Sequence, residues 1–600
     1  MANERKTETI VRNHFNQFLS DITLEEQKSD NAIINKLLKT ASKKGTGQGY
    51  PEFIISYNTE SDLVIVIECK ADFTKHESKT RDKYADYAVD GALLYASYLA
   101  KSFDVLAIAV SGETKRELKV SNFLHLKGER IATEIFDDKL LSVDEYLTGY
   151  LGSPEKLRQD YKSLLDYTKK LNKKLHTDKI PGHHRALLIS GVLISLENKA
   201  FKKSYASHST AKTLAKSLTQ TISDMLEGAN ITGEKLQNLN HQFGFINTDT
   251  SLSQKVNVLK DLIDDIEVNI NRFRKNHEYY DVLSQLYIEF LRYANSDKSL
   301  GIVLTPPHIT ELFAELAQVN KNSIVFDNCT GTGGFLIGAM NKMIIDAKGD
   351  KQKEKEIKSE QLIGVEYSSQ IYALGVSNMY IHQDGKTNIF KGSCFDKNII
   401  TQVKAKKPNI GFLNPPYKSD KVNDADELEF ILNNVSSLQD GGTCIAIIPL
   451  SCVLAKKGKG LFFKQELLKH HTLEAVLSMP NELFINSKVA VVSCIVVLKA
   501  HKAHPKGKET FFAYCKDDGF VKSKVQGRFD ANGEWNDIKD NWLTAYFNKT
   551  TIPGFSVNKV IKPDDEWCAE AFLETNYSNL NEDTFISEIK KYVAFKVLNQ

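Results

Sequence analysis

The sequence predicts a multidomain α/β protein, on three observations. At 600 residues the chain exceeds what one core holds, since domains run to about 100–200 residues each. Short apolar runs alternate with helical stretches in residues 1–150 and again in 296–500, whereas 151–295 shows Lys, Leu, Asn and Ser in helical spacing with few β-branched runs. The second alternating block also contains "GFLNPPY" (411–417), where two adjacent prolines must end a strand, because proline lacks the N–H that a central strand needs. The expectation is a small α/β domain at 1–150, a helical connector at 151–295, a doubly wound sheet at 296–500 and a short helical region at 501–600.

Composition narrows the function classes. Hydrophobic residues at 42% and charged residues at 26% are ordinary for soluble globular protein. No run of about 18 uncharged apolar residues occurs, and "MANERKTETI" lacks an apolar signal core, so no membrane partner and a cytoplasmic location are expected. Eight scattered cysteines without a C-x-x-C pair argue for reduced, mostly buried thiols rather than disulfides or a zinc site. The net charge of +2 announces no nucleic-acid binder, yet lysines cluster in "KAKK" (404–407), "KKGKG" (456–460) and "HKAHPKGK" (501–508). Such clusters read as solvated surface unless they flank a catalytic edge, where they would meet phosphates.

In the first block, "LVIVIECK" (63–70) and "DVLAIAV" (104–110) are strands joined through the helical "YADYAVDGALLYASYLAKSF". "GYPEFIISYNTESDLVIVIECKA" (49–71) places Glu52 at one strand start and Glu68 and Lys70 at the end of the next. Side chains alternate along a strand, so Glu68 and Lys70 share a face and Cys69 takes the other. Two carboxylates from adjacent strands can hold a divalent cation, and a lysine beside them can orient water for attack on phosphate. Hard oxygen ligands point to Mg²⁺, with Glu52 and Glu68 as the metal ligands and Asp62, in the turn, as the rival to Glu52. Glu8 and Tyr95 are further candidates, read chiefly as structural.

In the second block, strands are expected at "SIVFDN" (323–328), "QLIGVE" (361–366), "NIGFLN" (409–414), "GTCIAIIP" (442–449), "LEAVLSMP" (473–480) and "VAVVSCIVVLK" (489–499), the last two as a hairpin-like finish. "VFDNCTGTGGFL" (325–336) is a strand, a glycine-rich turn and a helix start. Gly331, Gly333 and Gly334 permit close backbone approach, and Asp327 can accept hydrogen bonds from a ligand. "GVEYSS" puts Glu366 at the next strand end, where a carboxylate can take both ribose hydroxyls of a nucleoside. The strand before Pro415 and Pro416 delivers Asn414 and Tyr417 to the same carboxyl edge, where open α/β sheets bind ligands.

"TPP" (305–307), "DNCTGTGGFL", "GVEYSS" and "NPPY", in that order, resemble the adenine-N6 DNA methyltransferases, specifically the modification subunits of Type I-like systems. The resemblance covers roughly 280–500. It implies a Rossmann-like domain that binds S-adenosylmethionine through Thr305, Pro306, Asp327, Thr330, Gly331, Gly333, Gly334, Glu366 and Ser393, with Asn414, Pro415, Pro416 and Tyr417 as the catalytic tetrapeptide. The Asn414 amide oxygen and the Pro415 carbonyl would accept hydrogens from the adenine amino group, and Tyr417 would stack on a base taken out of the duplex. The segment "KGSCFD" departs from relatives that carry an acid directly after the glycine, so Ser393 and Asp396 both remain open as contacts to the cofactor's adenine.

The first block resembles the PD-(D/E)xK core of restriction enzymes, with Glu52, Glu68 and Lys70 as its catalytic residues. Together the two resemblances imply a combined restriction-modification subunit of the Type IIG or Type IIB kind, acting on double-stranded DNA. The alternatives are a methyltransferase whose first domain only grips DNA, and a non-catalytic assembly subunit. The hundred residues after the sheet are few for a target-recognition domain, so a separate specificity subunit is expected. "FISEIKKYVAFKVL" (585–598) is its candidate docking surface or, equally, a segment packed on the chain's own core.

Overall fold

The computed structural model describes residues 4–277, 286, 290, 304–384, 388–417, 426–485, 491–523, 527–574 and 582–598. It divides into two compact units, 1–163 and 164–600.

In the first unit six strands follow one another across a sheet: β1 (Ile22–Glu26), β2 (Phe53–Tyr57), β3 (Leu63–Lys70), β4 (Asp104–Ser111), β5 (Lys119–His125) and β6 (Thr133–Glu134). Helix Ala88–Leu99 makes the crossover between β3 and β4, the parallel pair. Both of these strands are buried along their whole length, which is why they read as continuous apolar runs. Ile65, Ile67 and Cys69 enter the core under helix Glu4–Phe15, while Val64 and Val66 enter the core under helix Ala88–Leu99. The alternation inferred for Glu68, Cys69 and Lys70 therefore holds.

In the second unit the parallel strands β7 (Val325–Asp327), β8 (Leu362–Glu366), β9 (Asn388–Lys391), β10 (Ile410–Leu413) and β11 (Thr443–Pro449) form half of a larger sheet. They continue into β12 (Thr472–Ser478), β13 (Ser493–Lys499), β14 (Glu509–Tyr514) and β17 (Ser556–Val560), in the order β17-β14-β12-β13-β11-β10-β7-β8-β9. β15 (Phe520–Ser523) and β16 (Gly527–Asp530) form a separate ribbon. β12 and β13 pair antiparallel, as the hairpin-like finish required. β9 had no counterpart in the sequence reading, because "NIFK" is too short for period-two alternation to show.

Residues 501–600, expected to be helical, differ: β14 and β17 widen the large sheet, and helix Trp535–Asn548 packs on helix Pro307–Leu316. β14 is buried at four consecutive positions and so shows no period-two alternation, and β17 is only five residues long. The helices after 164 belong to the same unit as the sheet. Helix Gly182–Leu196 lies against helix Ser369–Ile381, and Arg274 Nη1 donates to the Ile381 carbonyl at 3.1 Å. No helix among the described residues is long and apolar enough to cross a membrane.

Candidate functional sites

In the first unit β2 and β3 run antiparallel with Phe53 opposite Ile67, so Glu52 lies beside the carboxyl end of β3. Its Oε2 accepts from the Cys69 backbone N–H at 3.3 Å. Glu68 is fully buried. Gly91 in the covering helix makes room for it, since a Cβ there would lie 3.0 Å from the Glu68 side chain. Burial, with the Glu52 charge adding, holds the Glu68 carboxyl well above the ordinary carboxylate range. Lys70 Nζ donates to Glu68 Oε1 at 3.2 Å and to Glu4 Oε1 at 3.2 Å.

Two residues of this cluster were not anticipated as partners. Lys43, from the glycine-rich loop before β2, donates to Glu52 Oε1 at 3.4 Å and also to Glu68 Oε1. Glu4 lies too far from Glu68 in sequence for any local pattern to connect them. Glu8 is close enough for Glu52 to help burial raise its pKa, and the Tyr95 hydroxyl accepts from the Tyr50 backbone N–H at 3.2 Å.

Asp62 needs correction. It precedes Leu63 at the opposite end of β3, six residues and so about 20 Å from Glu68 at the usual rise per strand residue. An antiparallel hairpin brings the start of β2 to the end of β3 and leaves the connecting turn at the far edge.

A divalent cation fits the remaining pair. Glu68 Oε2 is buried and accepts no hydrogen bond from an N–H or hydroxyl among the described residues, and the Glu52 carboxyl is close enough to help burial raise the Glu68 pKa. Mg²⁺ commonly takes one or two carboxylates and completes its shell with water and substrate phosphate. No cluster of three acidic, His or Cys side chains that could hold a metal alone occurs among the described residues.

In the second unit the carboxyl edge of the large sheet gathers the other candidates. Asp327 pairs in register with Phe412 on one side and Gly364 on the other, so Asn414 and Glu366 each lie two residues beyond it on flanking strands. Two strand spacings separate them, about 10 Å. Gly331 and Gly333 take positive φ of 56° and 87°, and Gly334 opens helix Gly334–Ala347. A Cβ on Gly375, in the facing helix, would lie 2.7 Å from the Gly331 carbonyl, so this turn is pressed close to its neighbour.

Glu366 ties the loop down: Oε2 accepts from the Gly331 N–H at 3.0 Å and Oε1 from the Ser368 N–H at 2.8 Å. Thr330 donates its hydroxyl to the Asp327 carbonyl at 2.9 Å. Asp327 Oδ1 accepts from the Cys329 N–H at 2.9 Å, while its buried Oδ2 has no hydrogen-bond partner among the described residues. Burial, with the Glu366 charge adding, pushes the Asp327 carboxyl up to about 8. A buried carboxyl oxygen without a hydrogen-bond partner among the described residues, beside a positive-φ glycine turn and a second strand-end acid, makes a polar set that suits a nucleoside-bearing cofactor.

Gly392 N–H donates to the Glu366 carbonyl at 2.9 Å, which sets Ser393 next to this edge. Asp396 accepts from the N–H groups of Asn398 and Ile399 and caps helix Lys397–Ala405, and the Ser393 hydroxyl accepts from the Phe395 N–H at 3.2 Å, so both open candidates are engaged in local turns. Tyr367 directly follows Glu366 and is 79% exposed, an aromatic ring at the lip that the sequence reading passed over.

Asn414 Nδ2 donates to the Thr305 hydroxyl at 3.0 Å, so "TPP" and "NPPY", 109 residues apart, meet. Pro306 caps and Pro307 begins helix Pro307–Leu316, a position proline suits because its missing N–H is not needed there. Pro415 is buried, Pro416 is exposed, and the Tyr417 ring meets Phe484 edge-on at 6.1 Å. Burial raises the Tyr417 phenol above its ordinary pKa, so it stays protonated. Residues 418–425 and 486–490 lie outside the described residues.

The family model described as N-6 DNA Methylase matches residues 278–597. The Type II restriction enzyme and methyltransferase RM.BcgI of Heyndrickxia coagulans is 30% identical, over 99% of this chain and 97% of that protein. The Type I restriction enzyme MpnII methylase subunit of Mycoplasma pneumoniae is 25% identical, over 46% of this chain and 54% of that one. Among solved structures, the DrdV–DNA complex superposes with a TM-score of 0.49 at 15% identity, covering 94% of this chain and 58% of the other. With the family model spanning more than half of the chain and a full-length relative at this identity, the protein belongs to the N-6 DNA methylase family.

Proposed function

We propose that this DNA methyltransferase transfers a methyl group from S-adenosylmethionine to N6 of adenine in DNA, and that its first unit cleaves DNA with Mg²⁺. The observation that carries the first activity is Asn414, held by Thr305 at a sheet edge beside Asp327 and Glu366.

When bound, S-adenosylmethionine supplies an electrophilic methyl group. Gly331, Gly333 and Gly334 would hold it against the loop backbone, with Glu366 on its ribose and Asp327, Thr330, Thr305, Pro306 and Ser393 around it. The adenine amino group shares its lone pair with the ring and is a poor nucleophile until acceptors draw its hydrogens out of plane. Asn414, whose nitrogen is committed to Thr305, would offer its oxygen, and the Pro415 carbonyl would be the second acceptor. Tyr417 would stack on the extruded base. Catalysis is then largely positioning.

In the first unit Glu52 and Glu68 would hold Mg²⁺, which supplies Lewis acidity at the scissile phosphate. Lys70 would orient the attacking water through the hydrogen bond that keeps it on Glu68. Support comes from the converging acids and from the full-length likeness to a Type II restriction enzyme and methyltransferase.

Base recognition we assign to a separate specificity subunit. Helix Glu582–Leu598 presents Phe585, Ile586, Ile589, Tyr592 and Val593 to solvent, the most open of them 61% exposed, rather than packing them on the chain. Ile586, Ile589 and Val593 follow the three-four spacing of a helix-pairing seam. The Phe595 side chain lies outside the described residues.

The test is incubation with labelled S-adenosylmethionine and DNA, with and without Mg²⁺, in the presence of the proposed specificity subunit. Methylation should proceed without metal and cleavage should need it, and Glu68→Ala or Lys70→Ala should abolish cleavage alone. Cleavage that ignores both metal and these substitutions would overturn the nuclease assignment.

A further inference from the structure

We infer that Lys43 is a resident counter-ion of the acidic pair, occupying with its ammonium the place between Glu52 and Glu68 that a divalent cation takes, and leaving when the metal binds. The inference rests on the proposed nuclease reading and goes beyond it by naming a residue that opposes metal loading.

The geometry is specific. Lys43 Nζ contacts carboxylate oxygens of both Glu52 and Glu68, the two side chains that would ligate the metal. Lys70 contacts Glu68 through the same Oε1, so two ammonium groups crowd one oxygen while Oε2, equally buried, accepts no hydrogen bond from an N–H or hydroxyl among the described residues. A lysine recruited only to neutralise Glu68 would not need to span to Glu52 while Lys70 already pairs with Glu68. A divalent cation bridging Glu52 and Glu68 would satisfy Oε2 and make the Lys43 charge redundant. Two carboxylates brought together in a buried place repel, and without a metal the pair is relieved by a proton on Glu68, whose carboxyl burial and Glu52 push up, together with the Lys43 ammonium that touches both.

The loop that carries Lys43 suits a side chain that leaves. Ser42 N–H donates to the Gly47 carbonyl at 3.1 Å and closes a short turn in which Gly45 and Gly47 take φ of 103° and 118°. Residues 44–47 are exposed, and a Cβ on Gly45 would meet nothing within 4 Å. The Lys43 stem reaches inward past the Tyr95 ring, 5.4 Å from its Nζ, and is already 17% exposed. Four rotatable bonds let the ammonium swing to water while the strands stay in place.

The test uses Mn²⁺ alone, without DNA, on the full chain and on its Lys43→Met, Lys43→Arg and Glu68→Gln variants, read by calorimetric titration and by the metal-induced shift in melting temperature. Lys43→Met should bind Mn²⁺ about tenfold tighter than the parent or better, because metal no longer displaces a charge-assisted hydrogen bond. It should melt lower than the parent without metal and gain more on adding it, while Lys43→Arg, which keeps the charge, should bind nearly as the parent does. Lys43→Met binding no tighter than the parent, with Glu68→Gln abolishing binding, would overturn the inference and leave the nuclease reading standing. No Mn²⁺ bound by the parent or by Lys43→Met would overturn both.

Discussion

Asn414 and Asp327 stand two register positions apart, yet their environments assign them different work. In the proposed reaction Asn414 would contribute an uncharged acceptor, its amide nitrogen being engaged by Thr305. Asn414→Ala should cut the turnover of methylation by about 10²–10³ while the dissociation constant of the cofactor changes little, since the acceptor acts chiefly in the transition state. Single-turnover rates beside equilibrium cofactor titration measure the split, and equal losses in both would contradict the role. Asp327 is instead a fully buried carboxyl whose pKa is raised to about 8 against an ordinary value near 4. The folded protein therefore keeps a proton there that the unfolded chain releases, so this group stabilises the fold below about pH 4 and loses that contribution as pH rises to about 8. Asp327→Asn, which cannot ionise, should melt higher than the parent at pH 8.5 in the absence of cofactor and exceed it by a much smaller margin at pH 5. Thermal melts at the two pH values decide the point.

The element that carries Thr305 is braced from the far end of the chain. His308, in helix Pro307–Leu316, lies 3.3 Å from Asp518 through Nε2 and stacks on Phe520, while Arg528 Nη1 donates to Asp518 at 2.6 Å. Burial pulls the Asp518 carboxyl up, and His308 and then Arg528 outweigh it, holding the carboxyl at about 2. Lys539 adds an ion pair to Glu311 on the same helix. Because the folded pKa of Asp518 is depressed, its contribution is present above about pH 4 and is lost as pH falls toward about 2. Asp518→Ala leaves His308 and Arg528 facing an empty place and should cost about 3 kcal/mol of stability at pH 7 in denaturant titrations. Since the helix starts at the residues that reach Asn414, methylation should fall even at temperatures where the variant remains folded. An unchanged rate in folded Asp518→Ala protein would show that the brace serves stability alone.

For the molecule as a whole, recognition is the activity for which these residues supply least. β14 and β17 widen the sheet, helix Trp535–Asn548 packs on helix Pro307–Leu316, and helix Glu582–Leu598 turns its apolar stripe outward. The purified chain should bind DNA weakly and with little sequence preference, losing about 10²-fold in affinity from about 50 to about 200 mM salt if some four phosphates are contacted. Tight site-specific binding by the isolated chain, measured by competition between cognate and scrambled duplexes, would assign recognition to its own residues. If the proposed specificity subunit docks here, replacing Ile589 and Tyr592 with Ser should abolish its co-purification without lowering the melting temperature, as both side chains are already in water. By itself the sequence determined what depends on short-range order. The positive-φ glycines of "GTGG", the prolines that end β10, the acids at strand ends and the alternation of Glu68, Cys69 and Lys70 were all legible, because backbone geometry and period-two burial are set by neighbouring residues. Only the tertiary structure decided which distant side chains share a charge. Lys43 between Glu52 and Glu68, Asp62 stranded at the opposite end of its strand, Thr305 on Asn414 and Asp518 under His308 follow from strand register and helix packing, and contacts between residues far apart in sequence leave no local pattern to read.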